Sequence, residues 1–77
     1  MLLTAFNYLN AQDNTSTFNM TLEQAKAGDV ESQCYLGFLY YHGNGVQKNV
    51  SEAVKWYKKA AEQGMEDAKE KLKILGY

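Results

Sequence analysis

The sequence predicts an all-α fold, a short α/α solenoid of antiparallel helix pairs. Three observations predict it. Apolar residues recur at spacings of three and four, and nothing alternates with period two over a useful length. Glycines and capping residues punctuate the chain at intervals of one helix. Finally, the chain matches itself at an offset of 36 residues, pairing Ala25 with Ala61, Gly28 with Gly64, Leu36 with Leu72, Leu39 with Leu75 and Tyr41 with Tyr77. A period in the mid-thirties with two helices per unit marks a solenoid whose units bury their apolar faces only against neighbours.

The elements follow in order. Residues 1–15 stand apart, because residues 1–20 carry a single charge, Asp13. Leu2 to Phe6 is too short to span a membrane, and no basic residue precedes it as a secretory signal would require. The segment therefore reads as flexible or loosely packed in preference to a signal remnant, and Asp13 to Thr17 reads as a loop or a helix start. Residues 16–77 form the domain. A first helix over 16–27 places Phe18, Leu22 and Ala25 on one face and ends at Gly28. Asp29 caps a second helix over 29–42, stopped by Gly43 and Gly45. Asn49 opens a third over 50–63, with Glu52 placed for a capping box and Gly64 as the stop. The fourth spans 66–75, with Ala68, Leu72 and Leu75 on one face.

Composition excludes several classes of function. Seventy-seven residues make one small domain, and a core of that size ordinarily needs a staple or a partner. One cysteine cannot close an internal disulfide, and with a single histidine it makes no zinc site. No metal and no cofactor are expected. A net charge of −1 with no arginine argues against nucleic acid as a partner. The later lysines alternate with acids, as a solvated face does. A soluble protein is expected, either cytoplasmic or exported.

The residues between Gly28 and Gly64 carry a resemblance. Gly28-Asp29, Gln33, Leu36-Gly37, Tyr40, Gly43-Asn44-Gly45-Val46, Ala53, Trp56-Tyr57, Ala60-Ala61 and Gly64 resemble one complete Sel-one-like repeat, a relative of the tetratricopeptide repeats. Partial units stand on either side. Ser32 departs from the pattern, which has alanine there. In the last helix Lys73 stands in place of glycine and Gly76 in place of tyrosine, changes that would end the array. Each motif residue also has a direct physical reading. Gly37 in mid-helix costs about 1 kcal/mol against alanine, a cost accepted where another backbone approaches closely. Ala53, Ala60 and Ala61 offer a low surface to the partner helix. Leu36, Tyr40, Trp56 and Tyr57 fill the space between helices, and Val46 anchors the loop.

No catalytic constellation is visible. Gly43-Asn44-Gly45 follows a helix and lacks the strand and lysine of a phosphate loop, so it reads as a turn. Cys34 and His42 are eight residues apart, about 12 Å along a helix, too far for a nucleophile and its base. The resemblance implies adaptor or scaffold work without catalysis. The relatives linked to hydrolytic activity resemble cysteine-rich arrays, unlike this chain. Carrying the tetratricopeptide register over places Glu31, Cys34, Phe38, Tyr41 and His42 on the concave side, with Asp67, Glu70, Ile74 and Tyr77 from the last helix. From these, Glu31, Cys34, Phe38, Tyr41, His42 and Ile74 are the expected contacts for a protein or peptide partner. The competing reading is that Phe38 and Tyr41 merely pack on their neighbours. A second alternative is a structural role, as a terminal segment of a longer solenoid or a chain that completes itself by self-association, because one full repeat is fewer than a stable solenoid ordinarily needs.

Overall fold

The structure, a computed structural model, describes the backbone of residues 2–77 and the side chains of residues 14–77. Four helices follow in order: α1 Leu2–Lys26, α2 Val30–His42, α3 Val50–Glu62 and α4 Glu66–Ile74. Among the described residues all regular structure is helical, in keeping with the all-α class. No helix among them is long and apolar enough to cross a membrane.

α1 corrects one expectation. The polar cluster at 13–17 lies inside the helix and does not begin it. Asparagine, aspartate, serine and threonine weaken a helix by only a few tenths of a kcal/mol each, and no glycine or proline stands in α1 to stop it. Thr21 adapts by donating its hydroxyl to the Thr17 carbonyl, 2.7 Å away. The reading of residues 1–15 as a separate segment or signal remnant turns largely on side chains outside the described residues.

Helix ends are set by local chemistry. The carboxylate of Asp29 accepts from the Ser32 N–H, as an N-cap does, and also from the Ser32 hydroxyl. These two bonds hold the Asp29 carboxyl below its ordinary pKa. The Ser32 hydroxyl also lies 3.0 Å from Gln24 of α1, so the residue that departs from the repeat pattern supplies an inter-helix link. At the opposite ends, Gly28 and Gly64 close α1 and α3 identically. The Gly28 N–H donates to Ala25 and the Asp29 N–H to Gln24; the Gly64 N–H donates to Ala61 and the Met65 N–H to Ala60. The 36-residue repeat is thus a repeat of hydrogen bonds as well as of letters.

Asn49 caps α3 through the Glu52 N–H, 3.1 Å away. The return half of the capping box is absent. The Asn49 N–H donates instead to the Tyr40 carbonyl, and the Glu52 carboxylate turns to Lys55 at 3.5 Å.

Packing runs from α1 to α2, α2 to α3 and α3 to α4. Phe18, Ala25, Leu36, Leu39 and Trp56 form one buried cluster among α1, α2 and α3, with Leu22 and Val46 against it. Cys34, Ala53, Val54, Tyr57, Ala60, Ala68 and Leu72 form a second among α2, α3 and α4. Tyr40 touches both clusters and meets Phe18 edge-on at 5.3 Å. The close approach expected at Gly37 is present. A Cβ there would lie 2.8 Å from two ring carbons of Tyr57 and 3.1 Å from the Ala53 carbonyl oxygen. Only a residue without a side chain lets α2 and α3 meet at this distance.

A polar relay crosses the helices. The Gln63 amide donates to the Gln33 carbonyl oxygen at 2.8 Å and to the Gly28 carbonyl at 3.1 Å. The amide of buried Gln33 donates in turn to the Ala25 carbonyl at 3.1 Å. The ends of α1 and α3 are therefore tied together across the first turn of α2.

Candidate interaction groove

α2 and α4 both pack on α3, and a groove lined from both helices lies between them. At one end it is lined by Glu31, Cys34, Tyr35, Phe38, Met65 and Lys71. It continues past Phe38 and Lys71 to Tyr41, His42, Tyr57, Ile74 and Leu75. All six residues expected as partner contacts, Glu31, Cys34, Phe38, Tyr41, His42 and Ile74, line it. The structure adds Tyr35, Tyr57, Met65, Lys71 and Leu75. The signal for these additions was partly present, since Lys71 is the 36-residue equivalent of Tyr35. Of the other residues assigned to the concave side, Asp67 acts on the Cys34 thiol, whereas Tyr77 lies under the Lys58 ammonium at 5.4 Å. Asp67, Glu70 and Tyr77 are not among the lining residues.

Depth within the groove differs by residue. Cys34 and Tyr57 are buried at its floor. Phe38 is 37% exposed and Ile74 72%, so neither is consumed by the core. Tyr41 is half-buried and packs against the second cluster. The competing reading, in which Phe38 and Tyr41 merely pack, thus describes Tyr41 in part and Phe38 poorly.

An aromatic ladder runs along the wall. Tyr35 stacks on Phe38 with centroids 5.8 Å apart, Phe38 lies 4.4 Å from His42, and His42 meets Tyr41 edge-on at 5.0 Å. The Lys48 ammonium sits 5.7 Å above the Tyr41 ring.

Burial sets the electrostatics of the groove floor. Burial, with Asp67 nearby, pushes the Cys34 thiol up, and Lys71 only partly offsets it. The thiol is therefore protonated at neutral pH and a poor nucleophile. Burial pushes the Tyr57 hydroxyl up to about 12, so it also stays protonated. Among the described residues no three metal-ligating side chains gather in one place. The groove offers apolar and aromatic surface with a lysine at its centre.

Residues 30–65 match the family model of the Sel1 repeat. A 51-residue stretch is 49% identical to the DAP3-binding cell death enhancer 1 of Rattus norvegicus, covering 66% of this chain and 10% of that protein. A 56-residue stretch is 43% identical to the chitin synthase regulator SKT5 of Saccharomyces cerevisiae, covering 73% of this chain and 8% of that protein. The chain spans about a tenth of the length of these curated relatives. No solved structure matches it.

Proposed function

We propose that this chain, whose residues 30–65 are a Sel1 repeat, is a non-catalytic protein-binding module that takes a peptide or a partner helix in the α2–α4 groove. The observation that carries the reading is the exposure of Phe38 and Ile74 across one groove, above a floor already filled by Cys34 and Tyr57. Large apolar side chains left uncovered beside a preformed hollow are what an anchor residue of a partner needs. The names of the relatives, one a binder and one a regulator, agree with such work.

The test is selection of binders from a displayed peptide library, followed by substitution. Phe38→Ala with Tyr41→Ala should weaken selected peptides by about tenfold or more, about 1.4 kcal/mol, while the thermal melt moves far less than for Trp56→Ala. Peptides that bind the double variant as well as the parent chain would sink the groove reading. So would a melt that drops as far as it does for Trp56→Ala, since both residues would then belong to the core.

A further inference from the structure

We propose that the groove is occupied by a second copy of this chain, packed antiparallel about a twofold axis. The inference rests on reading the groove as a contact surface and names its occupant. The argument is the charge arrangement along the groove. Its one end is lined by Glu31 in the first turn of α2, and Asp67 in the first turn of α4 stands outside the lining but close enough to act on Cys34. Its other end carries His42 in the last turn of α2, with Lys48 over Tyr41 beside it. Glu31 and His42 are eleven residues apart, about 16 Å along the helix. Among the described residues Glu31, Asp67 and Lys48 form no ion pair, whereas Glu52 and Glu66 each have a lysine.

A largely apolar middle separates the two charged ends; Lys71, beside Phe38 and close enough to act on Cys34, is its one cation among the described residues and offsets one of the two acids. Tyr35 is 45% exposed, and Phe38 and Ile74 are also uncovered. With Lys71 counted, the first end keeps a net negative charge from Glu31 and Asp67, and the other end is positive through Lys48; such a surface is complementary to itself once inverted. A twofold axis through Phe38 sets each acidic end against the partner's basic end and joins the apolar middles. This is the requirement of an isologous interface. The same arrangement runs the two α2 macrodipoles antiparallel, which is favourable. A parallel arrangement would oppose acid to acid and is excluded by the same charges.

The experiment is molar mass by light scattering over a concentration series of the whole chain, at low and at high salt. The parent chain should approach twice 8.7 kDa, with less dimer at high salt. Phe38→Glu should return it to 8.7 kDa. So should Glu31→Lys with Asp67→Lys in one chain, and Lys48→Glu in another. Mixing those last two variants should restore the doubled mass, because one groove is then basic throughout and the other carries the complementary acids. Circular dichroism melts confirm that each variant is folded. A parent chain of single mass up to its solubility limit overturns the second copy and leaves the peptide reading standing. A dimer indifferent to Phe38→Glu also overturns it, because the contact then lies on another face.

Discussion

α2 and α4 begin 36 residues apart and occupy equivalent positions, yet they are built differently. α2 has 13 residues and is clasped by α1 and α3; α4 has 9 and packs mainly on α3. Where α2 has Gln33, Gly37 and Tyr40, α4 has Lys69, Lys73 and Gly76. Those three α2 residues are the ones that face α3 or both cores. Their replacements in α4 are two good helix formers that suit water and one helix stop. Gly76 ends α4 through the Tyr77 N–H, which donates to the Leu72 carbonyl at 2.8 Å. By contrast, the face shared by both helices persists, as Leu36 matches Leu72 and Leu39 matches Leu75. The comparison teaches that residues looking out of place in a helix, such as a mid-helix glycine or a buried glutamine, mark a second packed side.

The largest effect expected from breaking this equivalence lies at Leu36 and Leu72. Leu36 is fully enclosed, whereas Leu72 is 9% exposed on a shorter helix. Leu36→Ala should cost about 4 kcal/mol, because helices on both sides prevent the cavity from collapsing. Leu72→Ala should cost about 2 kcal/mol, since the end of α4 can settle inward. Urea unfolding of the two variants measures the difference. Equal losses would mean that α4 is held as firmly as α2.

A smaller contrast is expected at Gly37 and Lys73. Gly37→Leu must displace the buried Tyr57 ring or the α3 backbone, an overpacking of about 1–3 kcal/mol. Lys73→Leu, on an exposed position, should stay within about 0.5 kcal/mol. A tolerated Gly37→Leu would show that α2 and α3 can move apart freely.

Much of this was legible beforehand, for identifiable reasons. Asp29, Asn49 and Gly28 act within a few residues of themselves, so their roles can be read from neighbours alone. The apolar face of α1 and the need for a small residue at Gly37 follow from spacing and residue size. What was not legible depends on partners distant in sequence. The capping box failed because the Tyr40 carbonyl, nine residues upstream, claims the Asn49 N–H. α1 reaches back to Leu2 because the polar residues at 13–17 are equally suited to a cap, a turn or a helix surface. The six expected groove residues line one groove, but Lys71 and Met65 join them through the packing of α4 on α3, which no single-helix pattern encodes.

The smallest expected contrast tests the polar relay. Gln33 is 6% exposed and bonds both to Gln63 of the α3 end and to the Ala25 carbonyl of α1. Its α4 equivalent, Lys69, reaches only Glu66 at 3.2 Å, in the open. Gln33→Ala leaves the Gln63 amide with the Gly28 carbonyl and Ala25 with its bond from the Gly28 N–H, so no group is wholly orphaned. The loss should be about 1–2 kcal/mol. Lys69→Ala should change stability by less than about 0.5 kcal/mol, because an exposed ion pair contributes little. A double-mutant cycle separates the relay from simple truncation. Gln33 and Gln63 share a hydrogen bond, so the combined loss should fall short of the sum of the single losses by about 0.5 kcal/mol or more. Additive losses would mean that each amide acts alone, and that α1 and α3 are joined only through the apolar contacts of α2.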